Sequence, residues 1–162
     1  MTPLGEYQQY YGPVFDAHCH VVDCETLPLL VETGKRYAVE RSLLIMHGSS
    51  PSQVEERYPR RFLYAKYFSG WMLLGGDLRE AIAEARKMGS EGYTVAKMHF
   101  APIWASRIDG GTLLRVDSSE LDPFFEFLED ENIPTLIHVA DPDTYYRTRY
   151  SDPNIYGTKE QH

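Results

Sequence analysis

Asp16, His18 and His20 recur at every second position of the segment Phe15-Asp16-Ala17-His18-Cys19-His20. Alternate side chains of a β-strand point to the same side, so this spacing predicts a carboxylate and two imidazoles on one strand face. Such a set, held by stiff backbone, suits a divalent ion such as Zn²⁺, Mn²⁺ or Fe²⁺. Cys19 would then face the other way, toward packing. Further residues of similar chemistry stand at the ends of apolar runs. His47 follows Ser42-Leu43-Leu44-Ile45-Met46, Lys97 and His99 end a fourth run, and His138 follows Leu136-Ile137. Five of the six histidines thus fall at the C-terminal ends of predicted strands, the edge where parallel α/β folds build their active sites.

The candidates divide by role. His18 and His20 are the first metal ligands to consider, and His138 is the next. Asp16 is either a ligand or an acceptor for a ligand imidazole. Lys97 shares a predicted face with His99. Its ammonium could hold a substrate carboxylate, or, carboxylated by CO₂, bridge two metals. For His47 and His99 an imidazole bonded to a carbonyl at a strand end is an equally good reading. Asp141, three positions after His138, reads as a loop residue. Trp71, Trp104, Arg107, Tyr145, Tyr146, Arg147 and Arg149 stand in predicted loops. There they could shape a pocket for a planar or anionic substrate.

These residues need elements to carry them. Residues 1–13 read as an N-terminal arm and 14–162 as one domain. Strands are predicted at Val14–Val21, Val39–His47, Phe62–Phe68, Tyr93–His99 and Pro134–Val139. Between them fall a loop-helix after Asp23 that stops at Gly34 and a short segment over Gln53–Tyr58. A clear amphipathic helix follows over Asp77–Met88, closed by Gly89. Another runs from Ser118 or Ser119 to Asn132. Ser69-Gly70-Trp71 reads as a loop, as do residues 100–118. Strand and helix alternate, which argues for a parallel sheet with right-handed crossovers. An open α/β sandwich fits the length, whereas a full eight-unit barrel typically takes about 250 residues.

The totals narrow the function. The chain has 162 residues and a formal charge of -8, from 24 acidic and 16 basic residues. That balance argues against nucleic acid, whose phosphates favour basic surfaces. Two cysteines, Cys19 and Cys24, make no disulfide scaffold. No signal-peptide pattern and no apolar run of membrane-spanning length is present, so a cytoplasmic setting is expected.

Taken together, the motifs resemble a known family. Phe15-Asp16-Ala17-His18-Cys19-His20 resembles the first-strand Asp-x-His-x-His signature of the amidohydrolase superfamily. The likeness is to its decarboxylase-related branch, the amidohydrolase-related metal-dependent hydrolases with TIM-barrel folds. Gly92 to His99 looks like that family's fourth-strand segment. Leu121-Asp122-Pro123-Phe124-Phe125 through Leu136-Ile137-His138 looks like its helix leading to a fifth-strand histidine. Ala140-Asp141-Pro142 also suits that branch. The likeness implies an incomplete TIM-like (β/α) barrel with about five parallel strands. It implies one Zn²⁺ or Mn²⁺, sometimes two, on His18, His20 and His138. It implies hydrolysis of C–N or C–O bonds of a small molecule through metal-activated water. The alternatives are metal-dependent non-oxidative decarboxylation of an aromatic or unsaturated acid, or a non-catalytic metal-binding protein. In this reading Asp16 and Lys97 are catalytic, and Trp71, His99, Trp104, Arg107, Tyr145 and Arg147 touch substrate. The family completes its site with a histidine on strand six and an aspartate on strand eight, and this chain has neither strand. Uncovered strand edges predict a homo-oligomer.

Overall fold

The computed structural model describes residues 12–74, 78–100, 115–139, 141–149, 151–156 and 158. Five strands run parallel in the order β1-β2-β3-β4-β5. They are β1 (Val14–Val21), β2 (Val39–Met46), β3 (Phe62–Phe68), β4 (Val95–His99) and β5 (Thr135–His138). The crossovers carry α1 (Leu27–Arg36), α2 (Pro51–Arg57), α3 (Gly70–Leu74), α4 (Leu78–Glu91) and α5 (Asp122–Asp130). After β5 come two single-turn helices, α6 (Asp143–Arg147) and α7 (Pro153–Tyr156). The sheet curls into a half-barrel, so the fold is an incomplete barrel of five α/β parallel strands. The N-terminal arm up to residue 11 and most of the loop after β4 lie outside the described residues. Among the described residues no helix is long and apolar enough to cross a membrane.

Two core layers explain the curl. On the outer face, Val21, Leu44, Met46, Phe62 and Tyr64 pack with Leu27 of α1 and Val54 of α2. Further along that face, Phe68, Ala96 and Met98 pack with Ala81, Ala85 and Met88 of α4 and with Phe124 and Leu128 of α5. The inner face holds only strand residues, Leu43, Ile45 and Ala65, flanked by Leu63, Tyr67, Val95 and Leu136. Among these clusters the helices therefore cover one face alone. The expectation of an open sandwich, with helices on both faces, gives way to a half-barrel. The alternation along β2 (Leu43 and Ile45 inward, Leu44 and Met46 outward) is what commits each side chain to its layer.

Several element boundaries depart from the sequence reading. Helix α1 runs through Gly34, which is buried, and ends at Arg36. Helix α4 runs through Gly89 to Glu91. Its stop is Gly92, whose φ of 88° lies in the left-handed region that side chains with a Cβ disfavour. Asn132, at φ 52°, ends the turn after α5 in the same way. Gly70 and Trp71, read as part of a loop, open α3, and residues 143–147, also read as loop, form α6. Helix α2 starts earlier than expected, because Pro51 suits a first helical position and the Ser50 N–H donates to Gln53 Oε1 at 3.1 Å.

Candidate functional site

Strand β1 carries the Asp-x-His-x-His motif, but not in plain alternation. Asp16 pairs with Ser42 and Cys19 with Leu44, so β1 spends one residue more than β2 over this stretch. That is a bulge. Paired residues of parallel strands face the same side, and His20 pairs with Ile45, an inner-face residue. Asp16 pairs with Ser42, one step out of that phase. The bulge therefore corrects the expectation that Asp16 shares one uninterrupted face with His18 and His20. The Asp16 carboxylate instead accepts the backbone N–H of His18 at 3.1 Å.

His18 and His20 do converge. Their Nε2 atoms lie 3.1 Å apart. The Nδ1 of His20 is 2.7 Å from Nε2 of His47, which follows the last residue of β2. The rings of His20 and His47 stack at 5.0 Å and 14°, and Tyr67 packs on His47 at 4.8 Å. Backbone geometry sets His47 there. Its N–H donates to the Val21 carbonyl at 3.1 Å. The following residue is Gly48, where a Cβ would stand 2.9 Å from the Val22 carbonyl oxygen.

A second group forms at the ends of β4 and β5. His99 pairs with His138 across the ladder, and their rings lie 4.1 Å apart. His138 Nε2 meets Asp141 Oδ1 at 2.9 Å. The donor atoms of His99, His138 and Asp141 all lie within 4.8 Å of one another, and this group could hold a metal ion. Among the described residues, His138 thus shares its donor group with His99 and Asp141, while His18 and His20 form a row with His47. Tyr67 Oη, 3.5 Å from His99 Nδ1, stands between the two groups.

The sheet's curl couples the groups electrostatically. Burial pulls His20 down to about 4, helped by His47, His18, Lys97 and His138. Burial pulls His99 down to about 4 as well, with His138 adding and Asp141 opposing. Burial also lowers His18, assisted by Lys97 and His138 and opposed by Asp16. His47 is lowered by burial. Neutral imidazoles are the form that ligates a metal. Lys97 lies on the same strand as His99, with the residue only 1% exposed, and its Nζ has no hydrogen-bond partner among the described residues. Burial pushes its ammonium below its ordinary value.

The predicted substrate contacts fare unevenly. The side chain of Trp71, and Trp104 and Arg107 altogether, lie outside the described residues. Tyr145 lies under the Arg149 guanidinium, 5.2 Å from its ring centroid, and Arg147 is exposed at the end of α6. A groove of about 610 Å³ opens between the start of α2 and the end of α4. His47 and Tyr67 belong to its wall, so it reaches one end of the histidine row. Lys66, also in that wall, is held by Glu84 and Glu91 at 2.8 Å each. Sequence reasoning left two links of the site unseen. Asp141 read as a loop residue, although an acid three places after a strand-end histidine is a usable signal. The bond between His20 and His47 spans 27 positions and depends on the β1–β2 register.

No family model, no curated protein and no solved structure matches the chain. Fold and site alone therefore define its class: a parallel α/β incomplete barrel with clustered imidazoles at the C-terminal ends of its strands and, among the described residues, one His–His–Asp group that could hold a metal ion.

Proposed function

We propose that this chain is a metal-dependent, hydrolase-like protein of the amidohydrolase type, acting on C–N or C–O bonds of a small molecule. The observation that carries the reading is the meeting of His99, His138 and Asp141 at one sheet edge, facing the same curled interior as His18, His20 and Lys97. Nitrogen and oxygen donors of this kind suit Zn²⁺ or Mn²⁺. Such an ion, when bound, acts as a Lewis acid and lowers the pKa of water to make a nucleophile. The likeness of the β1 and β5 motifs to the amidohydrolase superfamily supports the same reading, with His18, His20 and His138 as ligands.

The protein's own groups have definable tasks. Asp141 Oδ1, 2.9 Å from His138 Nε2, accepts that N–H when no ion is bound and would join His138 and His99 in holding one. A carboxylate beside the ion can also take a proton from the nucleophile. Lys97 supplies a buried positive charge for an anionic portion of the substrate. Self-association belongs to this proposal, since among the described residues β1 and β5 each have one strand neighbour and open edges invite pairing.

The test is metal binding by chelator-stripped protein, followed by calorimetry with Zn²⁺ and with Mn²⁺ and by elemental analysis after dialysis. Wild type should retain at least one equivalent, and His138→Ala should lose it. Wild-type protein that retains neither metal would sink the proposal. Activity should then be screened on small amides and lactones with the loaded protein.

A further inference from the structure

We infer that His47 is the positioning partner of His20: its Nε2 accepts the Nδ1–H of His20 and fixes the tautomer in which Nε2 of His20 is bare. The contact itself is a matter of geometry, while its direction and the consequence for metal binding rest on the function proposed above.

The argument is one of proton counting. A neutral imidazole carries a single N–H. His18, His20 and His47 form a row, joined by the 3.1 Å Nε2–Nε2 contact and the 2.7 Å Nδ1–Nε2 contact. The row has two self-consistent polarities. In one, His47 Nε2–H donates to His20 Nδ1, and His20 Nε2–H donates to His18. In the other, His20 Nδ1–H donates to His47 Nε2, and His20 Nε2 is bare and accepts His18 Nε2–H in metal-free protein. A cation held by both His18 and His20 through Nε2 needs both atoms bare; only the second polarity leaves His20 Nε2 so, and His18 then carries its single N–H on Nδ1 when the ion binds. The spacing fits that use. Two nitrogens about 2.0–2.1 Å from a tetrahedral zinc are about 3.3 Å apart, close to the 3.1 Å observed.

An imidazole ligand usually donates its other N–H to a carboxylate, carbonyl or water. The carboxylate offered by the motif, Asp16, accepts the backbone N–H of His18 instead. His47 takes the role, and its ring is held for it. It is stacked on His20, backed by Tyr67 and fixed by the bond from its own N–H to Val21.

The test uses His47→Phe, which keeps a ring and removes the acceptor, and His47→Gln, whose Oε1 can replace Nε2 as acceptor. Long-range ¹H–¹⁵N spectra of metal-free protein at about pH 8, above the range where imidazoles ordinarily titrate, report the tautomer of His20. Wild type and His47→Gln should show the Nδ1–H form, and His47→Phe should lose that preference. Competition with a chromophoric chelator should show Zn²⁺ affinity falling about 10–100-fold in His47→Phe and staying within about threefold of wild type in His47→Gln. A wild-type His20 in the Nε2–H form overturns the inference without any variant. So does a folded His47→Phe protein that keeps both tautomer and affinity. Wild-type protein with the Nδ1–H form but no Zn²⁺ binding supports the hydrogen bond and defeats the metal proposal instead.

Discussion

Lys97 is placed in the fold at a cost. An ammonium buried to 1% exposure without a hydrogen-bond partner among the described residues forfeits its hydration, and such a loss costs at least about 1–3 kcal/mol. Lys97→Met should therefore stabilise metal-free protein by about that amount, read as a higher urea midpoint at an unchanged slope. The same change should abolish turnover of any substrate the loaded protein hydrolyses, since stability and site chemistry oppose each other at such positions. An unchanged or lower midpoint would show that the lysine is stabilised by contacts beyond those described. At this scale the sequence was informative about residue types. Lys97, His99 and His138 are legible as strand-end polar groups. Asp16 was misplaced because a bulge cannot be seen in a pattern of alternating letters.

Among the elements, α4 and α5 show how packing sets the sheet. Phe124 of α5 is fully buried and meets Phe68 of β3 edge to face at 5.1 Å. Phe124→Ala leaves a cavity in the outer core, and should cost about 3–5 kcal/mol in chemical denaturation. Helix α4 is tied to β3 differently. Glu84 accepts from Lys66 at 2.8 Å and also pairs with Lys87. These two lysines hold its carboxyl down to about 2, from an ordinary 4.5. Burial works against the Lys66 charge, but Glu84 and Glu91 raise it overall. The sign for Glu84 follows from linkage. The unfolded chain takes up its proton first as pH falls below 4.5, so the stabilisation is full above that value and lost on the way down to about 2. Urea midpoints recorded through this window should fall more steeply for wild type than for Glu84→Gln. Parallel profiles would mean the ion pairs do not stabilise the fold.

At the scale of the whole fold, the half-barrel leaves its first and last strands with one neighbour each among the described residues. Strand β1 exposes apolar residues at its start. Val14 is 37% and Phe15 48% exposed there, and such apolar exposure on an edge strand favours pairing with another chain. Sedimentation of the wild-type protein should show a concentration-dependent dimer or larger species, and Phe15→Lys should shift it toward monomer. A wild type that stays monomeric at high concentration would remove self-association from the proposal.

The amino-acid sequence determined the parallel, alternating order of elements, because hydrophobic period and turn residues are local properties that need no partner. It also marked five histidines as strand-end groups, since a polar residue closing an apolar run is visible in one dimension. Tertiary structure alone decided which of them meet. The curl of the sheet set His99 with His138 and Asp141, and the β1–β2 register set His20 against His47. The bulge in β1 turned Asp16 to the His18 backbone. Each of these depends on contacts between strands distant in the chain, where a shift of one residue moves a side chain to the opposite face.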